Sequence, residues 1–242
     1  MPQSSPAADD FVFTPAARPA VPVRGGGLFP VRRIYCVARN YAAHAREMGS
    51  DPQRETPFFF TKPADAVLPV RADETGRFPY PLATREVHHE VELVVALGAG
   101  GANLTVQAAQ ACIWGYAVGL DMTRRDLQAE AKATGRPWDV AKAFDASAPI
   151  SEILPAPGWV PAGGAIDLEV NGVLRQHGDL ADMIWSIPEV IAYFSRFYRL
   201  QPGDLIFTGT PEGVGAVHVG DRLEATVAGI GRLALTVAAA GD

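Results

Sequence analysis

Short apolar runs separated by glycine- and proline-rich turns make up most of the chain from residue 29 onward. Runs of about four to eight residues with such boundaries are typical of β-strands. Residues 1–28 differ because proline, alanine, glycine and serine dominate them, which predicts an extended N-terminal arm before a folded domain over 29–242. Within that domain the pattern predicts strands over residues 33–37, 58–60, 91–97, 113–120, 166–170, 204–208 and 233–237.

Helical patterns are fewer, and they predict helices over residues 41–48, 106–111, part of 124–133 and 188–198. The last segment has a clear start signal, since Ser186 can act as N-cap, Pro188 falls in the first turn and Glu189 completes a capping box. Strands and helices do not alternate regularly, so a doubly wound parallel sheet is not expected. We predict an α+β fold that is mostly β.

Composition narrows the class of protein. With 242 residues, of which 48% are hydrophobic and 20% charged, the chain can bury one sizeable core. A net charge of -6, with no run of Lys or Arg longer than two residues, argues against nucleic-acid binding. Cys36 and Cys112 lack the spacing of a disulfide framework or a zinc site, which fits a reducing cytoplasm. No signal peptide or membrane-spanning run is visible, so we expect a cytoplasmic protein.

Two acidic residues, Glu90 and Glu92, interrupt the apolar segment 88–95. In a strand they share one face, with about 7 Å between their backbone positions. Burying two neighbouring anions is unfavourable unless a positive charge lies between them. The sequence leaves a second interpretation open, in which both acids line the solvated face of an antiparallel strand.

A third acid follows the segment 113–120. Alternation places Asp121 on the same face as Gly115, Ala117 and Gly119, and the small side chains predict an empty volume next to the acid. Three carboxylates form a hard, all-oxygen ligand set suited to Mg²⁺, Mn²⁺ or Ca²⁺ rather than zinc or copper. Zinc binding through His88 and His89 is not expected either, because no HExxH spacing supports it.

Further candidates for catalysis lie elsewhere in the chain. His44 and Glu47 are three residues apart on a predicted helix, where a carboxylate can orient a histidine base, although a surface pair explains the spacing as well. Lys142 lies between two alanines, where its ammonium could stabilise a developing anion or simply reach solvent. The loop 208–215 carries Thr208 and Thr210, but it lacks the glycine pattern of nucleotide-binding loops.

Several motifs together resemble the fumarylacetoacetate hydrolase family, and the resemblance runs from about residue 29 to residue 237. It implies a mixed β-roll or sandwich with a few helices, a catalytic domain over 29–242 and a homodimer. One departure is Ala38, where relatives often carry glycine, which puts the local backbone geometry in question. The motifs, in chain order, are RNYAAHAREM, FFFTKPADAV, HHEVELVV, GLDMTRRDLQ, GRPWDVAKAFD, VNGVLRQ, LQPGDLIFTGTPEGVG and GDRLEATVAGIGRL.

The resemblance also implies a role for each matching residue. It implies that a divalent cation, Mg²⁺ first and Mn²⁺ or Ca²⁺ as alternatives, is bound by Glu90, Glu92 and Asp121. It implies that His44 activates water and that Glu47 orients it, while Lys142 stabilises charge next to the substrate. The implied substrate contacts are Arg125, Gln128 and Thr210.

The implied activity is hydrolysis of the carbon–carbon bond of 3-fumarylpyruvate, a small acylpyruvate, to fumarate and pyruvate in gentisate breakdown. Alternatives in the same site are hydrolysis of other acylpyruvates, oxaloacetate decarboxylation and dienoate decarboxylation or isomerisation. A non-catalytic member of the family is a further alternative. The polar segment 122–141 is expected to close over bound substrate, or else to form an ordinary amphipathic surface helix.

Overall fold

The computed structural model describes residues 11–47 and 56–240, with the backbone alone for 45–47. Five α-helices lie in this part of the chain: α1 (Ala42–Glu47), α2 (Val106–Ala111), α3 (Arg125–Thr134), α4 (Asp139–Lys142) and α5 (Ile187–Phe194). The strands of the same part are β1 (Ala20–Pro22), β2 (Leu28–Pro30), β3 (Arg33–Ala38), β4 (Phe58–Lys62), β5 (Val67–Pro69), β6 (Gly76–Pro79), β7 (Val87–His89), β8 (Val91–Leu97), β9 (Ile113–Leu120), β10 (Thr123–Arg124), β11 (Ala148–Ile150), β12 (Leu154–Pro155), β13 (Ala165–Val170), β14 (Val173–Asp179), β15 (Asp204–Phe207), β16 (Gly215–Val217), β17 (Arg222–Val227) and β18 (Gly231–Ala238).

Two large sheets form the body of the fold. The first has eight strands, in the order β4-β3-β15-β8-β9-β11-β5 with β12 added beside β9, and the second has five, in the order β14-β13-β17-β18-β6. A three-stranded sheet, β10-β7-β16, and the hairpin β1-β2 complete the pairing in the described residues. The prediction of a mostly β, mixed-sheet fold is confirmed.

Side-chain alternation in β8 separates two cores. Leu93 and Val95 point toward the five-stranded sheet, where they join a cluster with Leu223 and Leu235. Val94, on the other face, belongs to a second and smaller cluster. Because Glu92 lies on the same side as Val94, the strand carries this acid away from the larger core.

The helices agree with their sequence signals in part. The capping box of α5 is present, with the backbone N–H of Ser186 donating to Glu189 Oε2 at 2.9 Å. This helix ends at Phe194, earlier than predicted, and α4 was not predicted at all. Among the described residues, no helix combines the length and apolar character needed to cross a membrane.

The β1-β2 hairpin packs against the larger sheet, whereas residues 11–18 are exposed. Val21 in β1 is fully buried, and the N–H of Arg24 donates to the carbonyl of Ile153. Position 28, the predicted end of the arm, lies inside the β1-β2 hairpin, and the division of the chain at that point stays a prediction. Cys36 and Cys112 are both free and buried.

Candidate active site

The three acids expected to bind a metal converge at one end of the central strands. Glu90 lies between β7 and β8, Glu92 lies in β8, and Asp121 directly follows β9. The pairing of β8 with β9 and a hydrogen bond of 2.8 Å from the Asp121 N–H to the Glu90 carbonyl bring them together. One carboxylate oxygen of each residue lies within 4.8 Å of the other two.

The expected continuous strand over 88–95 is wrong in one respect, because it is broken at Glu90. His88 pairs with β10 in the small sheet, whereas Val91 pairs with β9 in the large one. The break places the Glu90 side chain at the junction of two sheets. Glu90 is 6% exposed and Glu92 is 1% exposed, so the interpretation of a solvated strand face is also wrong.

The small residues of β9 do not leave an empty volume, contrary to the expectation. A Cβ atom at Gly119 would lie 2.5 Å from Val94 Cγ2 and 2.6 Å from Phe207 Cε1. A Cβ atom at Gly115 would lie 2.4 Å from the carbonyl oxygen of Leu154. These glycines allow close packing behind the site.

A cavity nevertheless adjoins the three acids. Its interior volume is small, about 30 Å³. Its walls combine the acids with basic and aromatic side chains from five other segments of the chain. The lining residues are Val37, Ala38, Arg39, His44, Phe60, Glu90, Glu92, Asp121, Arg125, Gln128, Lys132, Trp138, Lys142 and Thr210.

Two buried lysines compensate the carboxylates. Lys142 Nζ donates to Glu90 Oε2 and to Asp121 Oδ2, each at 2.7 Å. Lys62 Nζ lies 2.8 Å from Asp121 Oδ1 and also donates to the backbone carbonyl of Lys142. Burial would lower the pKa of Lys142, but the carboxylates of Asp121 and Glu90 outweigh it and raise that pKa. Lys142 is therefore held as a cation.

The two glutamates differ in their electrostatic surroundings. Burial would raise the pKa of Glu90, but Lys142, Arg125 and then His44 outweigh it and hold the pKa below its ordinary value. Burial, and then the charges of Asp121 and Glu90, raise the pKa of Glu92 well above its ordinary value. The backbone N–H of Gly209 donates to Glu92 Oε2 at 2.7 Å and opposes this rise.

This donor set fits a divalent cation. The carboxylate oxygens are hard ligands, and their spacing allows one ion to contact all three. The raised pKa of Glu92 indicates that the lysines do not fully compensate the third carboxylate, and a dication would favour its ionised form. Mg²⁺ and Mn²⁺ both prefer such oxygen ligands.

The predicted base lies at the same cavity. His44, in α1, is 6% exposed and lines the wall near Glu90. The backbone of Glu47 belongs to the same helix, but its side chain lies outside the described residues, so the predicted dyad stays a prediction.

The three predicted substrate contacts also line the cavity. Arg125 Nη2 donates to Glu90 Oε1 at 2.5 Å, and its Nη1 donates to Gln128 Oε1 at 2.6 Å. Thr210 is buried, and its hydroxyl accepts a hydrogen bond of 2.8 Å from Gln176 Nε2. The structure thus brings Arg125, Gln128 and Thr210 to one wall, while their role in binding stays a prediction.

Sequence reasoning missed several residues around the site. Lys62 is buried next to Asp121, and Arg39, Lys132, Phe60 and Trp138 line the cavity. One signal was available for the lysines, because the sequence contains only three of them against eighteen arginines. All three lysines lie at or next to this cavity.

The polar segment 122–141 forms one side of the site. It consists of β10, α3, a left-handed turn at Gly135 with φ 67°, and the start of α4. The N-terminal end of α3 is fixed to the loop before β7, because Asp126 accepts hydrogen bonds from the Thr84 hydroxyl and the Arg85 N–H. Its expected closure over a substrate stays a prediction.

The chain is similar in sequence to a known protein family and to enzymes of known activity. A model of the family described as fumarylacetoacetate (FAA) hydrolase C-terminal matches residues 33–238. A fumarylpyruvate hydrolase of Ralstonia sp is 46% identical over 187 residues, which cover 77% of this chain and 95% of that protein. An oxaloacetate tautomerase of Escherichia coli (strain K12) is 43% identical over 203 residues, which cover 83% of this chain and 90% of that protein.

The solved structures include one of high similarity. The crystal structure of fumarylpyruvate hydrolase from Pseudomonas aeruginosa, in complex with Mn²⁺ and pyruvate, superposes with a TM-score of 0.93 at 53% identity. The match covers 95% of this chain and 99% of that one. The chain is therefore similar, over most of its length, to enzymes with two different activities.

Proposed function

The chain belongs to the fumarylacetoacetate hydrolase family, and from this premise we propose that it hydrolyses 3-fumarylpyruvate to fumarate and pyruvate with Mg²⁺ as its cation. It is an enzyme of this family, and what is proposed is its substrate and its preferred metal. One observation carries the proposal: the cluster of Glu90, Glu92 and Asp121 shares a cavity with His44 and Lys142. The relatives that carry the name fumarylpyruvate hydrolase support the choice of substrate.

The proposed reaction begins when His44 activates a water molecule. His44 accepts a proton from a water molecule, whose oxygen then bonds to the carbon of the distal ketone. The bond between that carbon and the neighbouring methylene breaks and releases fumarate. The methylene carbon takes up a proton and completes pyruvate, so one water is consumed for each bond broken.

Negative charge develops on the pyruvate half while the bond breaks. A divalent cation held by Glu90, Glu92 and Asp121 would supply Lewis-acid stabilisation of that charge. Lys142 contributes a fixed ammonium in a nearly dry site, where an electrostatic interaction is stronger than in water. Its two hydrogen bonds to Glu90 and Asp121 keep that ammonium in place.

The proposal is tested by removing and restoring the metal. Chelator-treated protein should lose hydrolysis of 3-fumarylpyruvate, and Mg²⁺ should restore it, as followed by the ultraviolet absorbance of the substrate. Full activity in the metal-free protein would contradict the mechanism. If Mn²⁺ restores activity and Mg²⁺ does not, only the choice of metal is wrong.

A second candidate is conversion of oxaloacetate, because an oxaloacetate tautomerase is about as similar to this chain as the Ralstonia hydrolase. Rates on 3-fumarylpyruvate, other acylpyruvates and oxaloacetate should be compared under the same metal conditions. The variant His44→Ala separates the mechanisms further, because neither tautomerisation nor decarboxylation of oxaloacetate adds water to the substrate. We expect this substitution to reduce hydrolysis far more than decarboxylation.

We also propose that the enzyme is a cytoplasmic homodimer acting in gentisate breakdown. The family resemblance supports this assignment. Light scattering at several protein concentrations tests the dimer, and a constant monomer mass would contradict it.

A further inference from the structure

The basic residues of the cavity fall into two groups. Four cationic side chains line the cavity together with the three carboxylates, and these cations are Arg39, Arg125, Lys132 and Lys142. Arg125 and Lys142 each form an ion pair with a carboxylate of the cluster. Arg39 and Lys132, in contrast, form no ion pair with any carboxylate of the described residues, although both line the same cavity. This part of the wall has positive charge without a protein counter-ion in the described chain.

Arg39 and Lys132 line the same small cavity. Partial desolvation of its ammonium, and then the guanidinium groups of Arg125 and Arg39, lower the pKa of Lys132, although the residue as a whole is exposed. Lys132 Nζ also lies 5.2 Å from the centre of the Trp138 ring. An anion between Arg39 and Lys132 would relieve their repulsion, and both groups can donate hydrogen bonds to a carboxylate.

The backbone at Arg39 is held in an unusual conformation. Its φ is 60°, in the left-handed region, which is unfavourable for a residue with a Cβ atom. The next residue, Asn40, fixes this turn through hydrogen bonds from its side-chain amide to the carbonyls of Thr208 and Trp185. Ala38, the departure noted in the sequence, has no positive φ and ends β3. The fold therefore keeps Arg39 at the cavity at the expense of backbone strain, as is common at functional sites.

These two cations are more exposed to solvent than the acids expected to bind the metal. Glu92 and Asp121 are each 1% exposed, whereas Arg39 is partly buried and Lys132 is exposed. Phe60 and Trp138 line the wall as well, with ring centres 5.9 Å apart. Aromatic rings suit a flat, conjugated chain.

We infer that Arg39 and Lys132 bind a second carboxylate at the far end of the acyl chain, which makes the enzyme selective for acylpyruvates that end in a carboxylate. This inference rests on the proposed function for its orientation of the substrate, with the 2-oxo acid end at Glu90, Glu92 and Asp121. The selectivity then depends on Arg39 and Lys132, which do not take part in bond cleavage.

Binding without turnover tests this inference separately from the proposed function. The probes are 2-oxopimelate and 2-oxoheptanoate, two 2-oxo acids of equal length of which only the first ends in a second carboxylate. Neither has the ketone that hydrolysis requires. Calorimetry on the Mg²⁺-loaded enzyme should show tighter binding of 2-oxopimelate. In Arg39→Gln and in Lys132→Met we expect this preference to fall about tenfold, as for one lost charge-assisted hydrogen bond.

Two control variants keep the test specific. Arg39→Lys retains the charge and should keep most of the preference. Arg136→Gln removes a cation from the same segment, at an exposed site where Arg136 lies 3.5 Å from Glu130, and should leave the preference unchanged. Unfolding temperatures close to that of the wild type will show that each variant is folded.

The two hypotheses can fail independently. Equal binding of both probes by the wild-type enzyme overturns the inference, as does an unchanged preference in both Arg39→Gln and Lys132→Met. A clear preference that these variants lose supports the inference, even if 3-fumarylpyruvate is not hydrolysed, and in that case only the proposed function fails. If the enzyme hydrolyses 3-fumarylpyruvate but binds both probes equally, the inference fails and the proposed function stands.

Discussion

The ammonium of Lys62 lies 2.8 Å from Oδ1 of Asp121, and neither side chain is more than 1% exposed. Lys62 is the last residue of β4, at the edge of the large sheet, whereas Asp121 follows β9 near its centre. The lysine also donates to the backbone carbonyls of Met122 and Lys142. It thereby connects a candidate metal ligand to the segment that carries the second lysine, and we regard it as a positioning residue.

Replacing Lys62 with methionine should destabilise the metal-free protein by about 3 kcal/mol, because the buried Asp121 would lose one of its two cationic partners and keep only Lys142. A bound dication would take over part of that compensation. Mg²⁺ should therefore raise the unfolding temperature of Lys62→Met by more than that of the wild type. Denaturant and thermal unfolding, each with and without Mg²⁺, measure both effects.

The matched control for this prediction is Lys132→Met, which removes an exposed lysine instead of a buried one. Surface substitutions of this kind usually change stability by less than about 0.5 kcal/mol. Equal stability losses in the two variants would show that the Lys62 ion pair does not stabilise the fold.

Much of the fold could be predicted from the sequence because its central strands are long and apolar. The predicted limits of β8 and β9 agree with the structure, since both strands are buried and bounded by turn residues. Short strands such as β10 and β16 were missed. They gain their pairing partners only through the tertiary fold, and a few residues show no periodicity of their own.

The site could be predicted only in part. The three acids were found because carboxylates in apolar strands are conspicuous, and the structure brings them together. Lys62 was missed because it ends a strand, where a lysine is ordinarily solvated. The glycines of β9 were misinterpreted because the sequence does not show that Val94 and Phe207 occupy the space next to Gly119.

That close packing gives a second prediction. In Gly119→Ala the new methyl group would meet side-chain atoms of Val94 and Phe207 at 2.5 and 2.6 Å, so these buried side chains or their strands must shift. Overpacking of this kind usually costs about 1–3 kcal/mol. Gly215→Ala is the control, because its Cβ atom would approach His89 Nε2 at an ordinary 3.4 Å. Chemical unfolding of both variants should show a clear loss for Gly119→Ala alone, and equal losses would contradict the packing argument.

The attachment of α3 is expected to depend on pH through Asp126. Burial would raise the pKa of this carboxyl, but hydrogen bonds from Thr84, Arg85 and Leu127 outweigh it and hold the pKa below its ordinary 3.8. A carboxyl whose pKa is lower in the folded state stabilises the fold above its unfolded pKa. That contribution is lost as the pH falls through the lower folded pKa.

Asp126→Ala should therefore lose about 1 kcal/mol at neutral pH, as expected for removal of a hydrogen-bonded carboxylate in the first turn of a helix. The difference from the wild type should shrink below about pH 4. Glu130→Ala, on the exposed face of the same helix, should show no such dependence. Denaturant titrations of the three proteins across this range decide the matter, and a constant difference for Asp126→Ala would refute the assignment.

A buried glutamine links the small sheet to the loop that carries Thr210. Gln176 is fully buried, and its Oε1 accepts a hydrogen bond of 3.0 Å from the Val91 N–H and lies 3.0 Å from His89 Nδ1. Its Nε2 donates to the Thr210 hydroxyl at 2.8 Å and to the Pro211 carbonyl at 2.9 Å. The side chain thus satisfies partners on either side of Glu90 in the sequence and in the loop of Thr210 at once.

Gln176→Leu should lower the free energy of unfolding by about 3 kcal/mol, since each buried polar group left without a partner costs about 1–3 kcal/mol. Because Thr210 lines the cavity, the variant should also bind pyruvate more weakly in the presence of Mg²⁺, as measured by calorimetry. Gln110→Leu is the control, because it removes only one hydrogen bond, to the Gly158 carbonyl at an exposed position. If Gln176→Leu loses stability but binds pyruvate as the wild type does, the glutamine supports the fold without positioning Thr210.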